Sequence, residues 1–233
     1  MFPQQFLSLE FYQKKKNILL YRAKDQAHAY ILKSIITKDD ADLQAFYDEY
    51  ESLSHLDSPF LPVYHGICEN FTYPDRDGSY LTLCMEDCSP RRPLDEISCN
   101  AKELLSILYQ TGSALLYLLE NGILYTDLHP ANILIHKDLD HIEITLLDFT
   151  YCYYYRLNPH PAYKLRFSYE LCPALKGHQL LIQELALLLQ EMMQRMDAID
   201  IPSKLYLLLE TGLHPTEWMN LPDYLLLIEH TII

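Results

Sequence analysis

The chain has 233 residues, of which 49% are hydrophobic, and its formal net charge is −14. This length suits one large domain or two small lobes that share a cleft, and the hydrophobic content predicts a packed core rather than disorder. An acidic surface repels phosphodiester backbones and anionic lipids, so we expect no nucleic acid and no membrane among the partners. The basic run at residues 14–16 is expected to be a solvated turn.

The sequence carries no recognisable targeting signal. Its first ten residues lack the basic start and the apolar stretch of a secretory signal, and no window of about eighteen residues is free of polar groups. The six cysteines form no C-x-x-C pair, so we expect reduced thiols and no zinc site. We therefore expect a cytoplasmic protein, while delivery into a host cell as an effector stays open.

The first part of the chain has the pattern of a small sheet with one helix. Lys24-Asp25-Gln26 is typical of a hairpin turn between two β-rich runs. Asp39 or Asp40 can cap a helix that extends to about Leu56. Residues 6–36 are expected to form strands, with clear runs over 17–22 and 27–36, and further strands are expected over residues 61–68 and 79–85.

The second part has the pattern of a helical lobe. Apolar residues recur at helical spacing from Asn100 to Asn121, where Asn121-Gly122 ends the helix. Further elements are expected as short strands over residues 132–136 and 142–148 and as helices over residues 179–196, 203–212 and 221–233. The sequence thus predicts a strand-rich domain over residues 1–88 and a mainly helical domain over residues 89–233, with a hinge near the prolines of residues 90–93.

Three oxygen-bearing side chains that could form a metal-dependent site follow the long helix. Asp127 lies on a loop and can accept a hydroxyl proton, and Asn132, five positions on, offers a carbonyl oxygen to a metal. Asp148, sixteen residues beyond Asn132, ends an apolar strand. Mg²⁺ prefers such hard oxygen ligands, together with water and phosphate oxygens. The spacing therefore predicts a metal-dependent site that acts on a hydroxyl group.

This segment resembles a known family. Residues 122–134, GILYTDLHPANIL, resemble the protein-kinase catalytic loop GIVHRDLKPENIL, and Leu147-Asp148-Phe149-Thr150 resembles the D-F-G metal-binding motif. The resemblance implies that Asp127 is the catalytic base, that Asn132 and Asp148 are metal ligands, and that ATP and Mg²⁺ are bound. It also implies a bilobal α+β fold, with a small antiparallel β-sheet N-lobe carrying one helix and a truncated, mainly helical C-lobe.

The first part of the chain resembles the rest of a kinase. Lys33 ends a strand run, YILK, that resembles the V-A-I-K motif, so it is the candidate for the phosphate-binding lysine. Its implied partner on the following helix is Glu49, which fits the spacing to Pro59 better than a glutamate two residues further on. Glu86 and Cys88 resemble the hinge, whose backbone holds adenine. The resemblance covers about residues 15–195.

The phosphate-binding loop departs from the family pattern. No G-x-G-x-x-G occurs within residues 1–30, although kinases use that loop to bring backbone N–H groups close to the phosphates. A glycine-free turn near residues 13–17 must serve instead, with lysine side chains standing in. Thr150 replaces the glycine of the D-F-G motif and restricts that loop.

The regulatory and substrate-binding segments also depart from the family. Tyr125-Thr126 replaces the usual His-Arg, so an activation-loop phosphate has no obvious partner and constitutive activity is expected. His129 stands where many protein kinases have lysine, and this D-L-H-P-x-N form is similar to aminoglycoside phosphotransferases. Residues 171–174 resemble the A-P-E motif only faintly, and the tyrosines of residues 151–155 are expected to be packing residues.

These features favour a protein serine/threonine kinase that transfers the γ-phosphate of Mg-ATP to a protein substrate. A small-molecule kinase acting on a sugar or antibiotic hydroxyl is the first alternative. The second alternative is an inert pseudokinase that acts as a binding module, since the glycine-rich loop is missing. Nucleotidyl transfer from an inverted ATP also stays open.

Overall fold

The computed structural model describes residues 2–3, 5–37, 39–138, 141–150, 152–154, 177–196 and 201–232. The chain divides into two compact units, Met1–Ser89 and Pro90–Ile233. No helix in these described ranges is both long and apolar enough to cross a membrane. Residues 171–174, in which a motif was expected, lie outside the described residues.

Unit 1 contains a five-stranded sheet. Its strands are β1 (Ser8–Lys15), β2 (Ile18–Lys24), β3 (Ala29–Ile35), β4 (Tyr64–Phe71) and β5 (Tyr80–Glu86). The spatial order is β1-β2-β3-β5-β4, and every neighbouring pair is antiparallel. Alternate residues of β2 point into a core on one face, where Leu19, Tyr21 and Ala23 are buried. Period-two burial thus fixes the register of the sheet.

One helix, α1 (Asp40–Leu53), lies between β3 and β4 in the chain. Asp39 caps it, because its carboxylate accepts hydrogen bonds from the N–H groups of Ala41 and Asp42 at 2.9 and 3.4 Å. The helix ends three residues earlier than expected, at Leu53, and Ser54 is its C-cap. Its buried residues are Phe46, Glu49 and Leu53.

Unit 2 is organised around the long helix α2 (Ala101–Glu120). Asn100 accepts a hydrogen bond from the N–H of Glu103, and the Glu103 side chain accepts one from the N–H of Asn100, which completes a capping box. The helix ends at Asn121, and Gly122 follows with φ +79°, a conformation that glycine adopts without strain. Both ends of this helix agree with the sequence-based prediction.

The remaining elements of unit 2 are short strands and three further helices. A three-stranded antiparallel sheet has the order β6 (Arg92–Pro93), β8 (Ile133–Lys137), β9 (Ile142–Leu146). A second, two-stranded sheet pairs β7 (Ile123–Leu124) with β10 (Tyr153–Tyr154). The helices are α3 (Gly177–Met193), α4 (Ser203–Leu213) and α5 (Leu221–Ile232).

The antiparallel sheet with one helix in unit 1 and the mainly helical unit 2 confirm the predicted α+β fold class. Three two-residue strands, β6, β7 and β10, were not predicted. Segments of this length have no detectable period, and they pair only because longer elements bring them together.

Candidate active site

A buried ion pair lies at the centre of unit 1. The ammonium group of Lys33 on β3 lies 3.0 Å from Oε2 and 3.2 Å from Oε1 of Glu49 on α1. Lys33 is 6% exposed and Glu49 is 0% exposed. The pair therefore joins strand and helix inside unit 1. The alternative glutamate, Glu51, is exposed.

Two aromatic side chains contact this ion pair. The hydroxyl of Tyr64 on β4 donates a hydrogen bond to Glu49 Oε1 at 2.8 Å. The Lys33 ammonium lies 5.6 Å from the centre of the Phe46 ring, within the range of a cation–π contact. Tyr64 was not predicted, because its contact with Glu49 depends on how α1 packs on β4 and leaves no motif in the sequence.

A buried ion pair contributes little net free energy to the stability of a fold. Removing both charges from water costs several kcal/mol per ion, and their attraction offsets this cost only when the geometry is good. Apolar residues of similar size would pack a structural core at least as well. The Lys33–Glu49 pair therefore suggests a function for the lysine beyond holding α1 to the sheet.

The last strand of unit 1 carries the two candidate hinge residues. The Glu86 N–H donates to Val63 O at 2.9 Å, and its carboxylate accepts from the Val63 N–H at 3.2 Å. The Asp87 N–H donates to Ala29 O at 3.2 Å. Cys88 follows, with its thiol directed at Glu86 O at 3.9 Å. The backbone around Glu86 is thus fixed on both sides by neighbouring strands.

The turn between β1 and β2 contains no glycine. Lys15 pairs with Ile18, so Lys16 and Asn17 form a two-residue turn. Lys16 has φ +46°, in the left-handed region that costs a residue with a Cβ about 1–2 kcal/mol. Hairpin turns of this kind usually place glycine at such a position. A long basic side chain therefore occupies a place where glycine would be more favourable.

The strand register places two side chains of β1 next to the turn, those of Gln13 and Lys15, on the face of the sheet that carries Lys33. Gln13 is paired with Leu20, which is paired with Lys33, and side chains directly opposite one another share a face. Because faces alternate along a strand, Lys15 shares the Lys33 face and Lys14 lies on the opposite face. Lys15 therefore lies on the same face of the sheet as Lys33, the candidate phosphate-binding residue.

In unit 2 the catalytic-loop candidates contact one another. The amide nitrogen Nδ2 of Asn132 donates to the backbone oxygen of Asp127 at 3.1 Å and to its Oδ2 at 3.3 Å. Asn132 is 4% exposed, whereas the Asp127 side chain is 57% exposed. His129 Nε2 lies 3.7 Å from Asp127 Oδ2. A buried amide thus orients an exposed carboxylate.

The metal-loop candidate, Asp148, has an unusual backbone conformation. Its φ is +61°, and the side chain is exposed. Among the described residues only Lys16 and Asp148 combine a positive φ with a Cβ. The Thr150 hydroxyl donates to Asp148 Oδ1 at 3.5 Å. Such strain persists only where the surrounding structure imposes it, and it is frequent at functional sites.

Tyr125 connects the catalytic loop to the metal loop. Its hydroxyl donates to the backbone oxygen of Leu147 at 2.7 Å, and its ring packs edge-on against Phe149 with centroids 5.4 Å apart. The Leu147 N–H in turn donates to Asn132 O at 2.9 Å. Burial raises the pKa of Tyr125 well above its ordinary value, so its hydroxyl stays protonated as a donor. The sequence showed only that Tyr125 replaces a histidine.

The candidate metal ligands of unit 2, Asn132 and Asp148, suit a magnesium ion. Because Asn132 uses its Nδ2 as a donor, its Oδ1 is the atom left to act as a ligand. Asp148 adds an exposed carboxylate. In the described part of the chain no group of three His, Cys, Asp or Glu side chains could hold a metal ion. Mg²⁺ needs few protein ligands, since water and phosphate oxygens usually complete its octahedron.

An antiparallel sheet with a buried Lys–Glu pair, and a helical unit with two oxygen-bearing loops, are typical of a nucleotide-dependent phosphotransferase. A family model described as the protein kinase domain matches residues 17–168. The match covers more than half of the 233 residues, so the chain belongs to the protein kinase domain family. Members of this family generally use ATP and Mg²⁺. The resemblance drawn from the two motifs is thereby confirmed.

The matched range includes every residue proposed for the site, namely Lys33, Glu49, Glu86, Cys88, Asp127, Asn132 and Asp148. Within unit 1, Lys33 and Glu49 are in contact. Within unit 2, Asp127 and Asn132 are in contact, and Asn132 is bonded to the residue before Asp148. The contacts of Tyr64 and Tyr125 were absent from the sequence-based prediction.

Proposed function

We propose that this chain is an ATP-dependent protein kinase that transfers the γ-phosphate of Mg-ATP to a serine or threonine hydroxyl of a protein. The observation that carries the proposal is the buried Lys33–Glu49 pair, 3.0 Å between Nζ and Oε2. A buried charge pair that is costly to the fold has a ready explanation if Lys33 binds phosphate.

In this proposal residues 1–88 are the ATP-binding lobe. Lys33, oriented by Glu49, binds the α- and β-phosphates with its ammonium group. The backbone at Glu86 and Cys88 holds the adenine ring, since strand pairing on both sides already fixes the chain there.

Residues 89–233 are the catalytic lobe. Asn132 through Oδ1 and Asp148 through its carboxylate hold Mg²⁺. When bound, the ion neutralises charge on the phosphate oxygens. Thr150, 3.5 Å from Asp148 Oδ1, helps to orient that carboxylate.

Asp127 is the proposed catalytic base. Its carboxylate accepts the proton of the acceptor hydroxyl while that oxygen forms a bond to the γ-phosphorus and the bond from phosphorus to the β–γ bridging oxygen breaks. ADP leaves with the electron pair of that bond. The Asn132 amide, 3.3 Å from Asp127 Oδ2, keeps the base in one orientation without neutralising it. In-line transfer depends mainly on such positioning and on charge neutralisation.

The β1–β2 turn is proposed to bind phosphate through lysine side chains. Lys15 shares a sheet face with Lys33, whereas Lys14 does not. Lys15→Gln should therefore weaken ATP binding more than adenosine binding, and Lys14→Gln is the matched control from the same run. Equal ATP-to-adenosine affinity ratios in the two variants would contradict this role.

A small-molecule kinase is the second candidate, and one contact favours it. His129 lies 3.7 Å from Asp127 Oδ2, in a D-L-H-P-x-N loop similar to that of aminoglycoside phosphotransferases. The acidic net charge of the chain also suits a cationic sugar.

The test is incubation of the purified chain with γ-labelled ATP and Mg²⁺, alone and with cell lysate. Labelled serine or threonine in the chain or in lysate proteins supports protein kinase activity. Label in small solutes supports the second candidate. If the wild-type chain transfers no more label than the Asp127→Asn variant does, the proposed transferase activity is wrong. The chain could then at most bind nucleotide.

A further inference from the structure

Two tyrosine hydroxyls hold the backbone on either side of Asp148. Tyr125 donates to the carbonyl oxygen of Leu147 at 2.7 Å, and Tyr154 donates to the carbonyl oxygen of Phe149 at 2.6 Å. Tyr125 is fully buried and Tyr154 is 6% exposed. The carbonyl groups of the residues before and after Asp148 are therefore each anchored to a side chain that solvent hardly reaches.

Each tyrosine is itself held by a pair of short strands. Tyr125 directly follows β7, and Tyr154 belongs to β10, which pairs with β7 in the register Tyr154 to Ile123. The Cys152 N–H also donates to Phe149 O at 3.1 Å. A two-stranded sheet of only four residues thus places both hydroxyls, which gives these otherwise minor strands a role.

The conformation that these bonds hold is an unfavourable one. At φ +61°, the Cβ of Asp148 crowds the backbone. A loop with this strain relaxes to other conformations unless neighbouring contacts oppose the change. If metal binding requires the strained conformation, the apparent metal affinity falls in proportion to the fraction of chains that leave it.

We infer that Tyr125 and Tyr154, here called the tyrosine pair, are positioning residues that hold Asp148 in its metal-binding conformation. The inference rests on the proposed role of Asp148 as a metal ligand. Neither tyrosine touches substrate or metal in this account. Each acts through its hydrogen bond to the backbone.

The tyrosine pair also offers a physical reason for constitutive activity. Thr126 stands where many protein kinases have an arginine that can pair with an activation-loop phosphate. Hydroxyls supplied by the folded chain need no modification in order to act. The metal loop is therefore set by folding rather than by phosphorylation.

The test uses variants that remove only the hydroxyl groups. Tyr125→Phe and Tyr154→Phe keep the rings, including the edge contact with Phe149. Tyr224→Phe is the matched control, because the Tyr224 hydroxyl is equally buried and donates to Leu208 O at 3.0 Å on other helices. The readouts are the Mg²⁺ concentration for half-maximal ATP binding and ATP affinity in EDTA.

Each single variant of the tyrosine pair should raise the Mg²⁺ half-saturation by about fivefold, the effect of one ordinary hydrogen bond. The double variant should raise it by about twentyfold or more, while ATP affinity in EDTA stays within twofold. Tyr224→Phe should lose similar thermal stability but keep the wild-type Mg²⁺ dependence. That pattern separates positioning of the metal loop from a general loss of stability.

Two outcomes overturn the inference in distinguishable ways. If Asp148→Ala abolishes the Mg²⁺ dependence but the double phenylalanine variant keeps the wild-type value, the tyrosine pair has no positioning role and the proposed function stands. If wild type and Asp148→Ala bind ATP equally with and without Mg²⁺, the metal assignment itself is wrong, and the inference falls with it.

Discussion

The two units present their candidate residues in opposite ways. In unit 1, Lys33 and Glu49 lie on a strand and a helix and are buried together. In unit 2, Asp127 and Asp148 lie on loops with exposed carboxylates, and hydrogen bonds to the surrounding backbone hold those loops.

Because of this difference, we expect substitutions at the two sets of candidate residues to affect stability differently. A buried ion pair is part of the core, so changing one member affects stability as well as function. An exposed carboxylate on a loop contributes little to stability, and a strained one opposes it. Substitution of Lys33 or Glu49 alone should therefore destabilise the chain, whereas substitution of Asp127 or Asp148 should leave it folded and inactive.

The largest expected effect is on turnover. Asp127→Asn removes the proposed base and should lower the rate of phosphoryl transfer by about 10²–10⁴-fold, while Mg-ATP affinity and thermal stability stay near wild type. Asp138→Asn is the matched control, since Asp138 is also exposed and lies 3.3 Å from a histidine, His136. Initial rates with γ-labelled ATP check this. Equal rates for both variants would exclude Asp127 as the base.

The next effect is on the stability of unit 1. Lys33→Met leaves the buried Glu49 carboxylate without its cation and should lower the free energy of unfolding by about 3–5 kcal/mol. Adding Glu49→Leu should recover most of that loss without restoring ATP binding. Urea denaturation followed by circular dichroism measures both changes.

A more exposed pair provides the comparison for that experiment. Lys137 lies 2.9 Å from Glu103 in unit 2, with side chains 37% and 23% exposed. Lys137→Met should cost less than about 1 kcal/mol. If Lys33→Met were equally mild, the ion pair in unit 1 would not be a buried structural element, and the contrast between the units would fail.

A smaller effect of opposite sign is expected at Asp148. Asp148→Gly removes the Cβ that is strained at φ +61° and should raise the free energy of unfolding by about 1 kcal/mol while abolishing Mg²⁺-dependent binding. Asp148→Ala keeps the Cβ and serves as the control. Differential scanning calorimetry compares the two. A glycine variant less stable than the alanine variant would show that the backbone strain carries no cost.

The smallest effect concerns a turn of unit 1 outside the site. The hydrogen bond from the Tyr30 hydroxyl, followed by those from the backbone N–H groups of Ala27 and His28, lowers the pKa of Asp25 to about 2 from its ordinary 3.8. Because the folded-state pKa is the lower one, this stabilisation is complete above pH 3.8 and is lost as the pH falls towards 2.

Tyr30→Phe removes the largest cause of that shift, so the variant should lose less stability than wild type on acidification through this range. Melting temperatures measured between pH 5 and pH 2 (about the range of carboxylate titration) provide the comparison. Parallel curves for wild type and variant would contradict the role of Tyr30.

The sequence predicted the regular elements well because their signals are local. Asn100 and Gly122 mark the ends of α2 through capping chemistry, and Asp39 marks the start of α1. The motifs single out Lys33 and Asp148 as candidates, because each lies in a short segment that resembles a motif of the family.

The sequence could not predict contacts that depend on tertiary packing. Tyr64 reaches Glu49 only through the register of β4, and Tyr125 reaches Leu147 across 22 residues of chain. The tyrosines near residue 154 were expected only to pack. The buried side chain of Tyr154 agrees with that expectation, but its hydrogen bond to Phe149 goes beyond it.

The most direct test of the central claim is calorimetric titration with Mg-ATP, because that claim assigns phosphate binding to Lys33 and metal binding to Asp148. Three chains should be compared: wild type, the stabilised Lys33→Met/Glu49→Leu variant, and Asp148→Ala. We expect wild type to bind one Mg-ATP and each variant to bind at least about tenfold more weakly, a loss of about 1.4 kcal/mol or more. Wild-type affinity in either variant would show that its unit takes no part in nucleotide binding and would contradict the account.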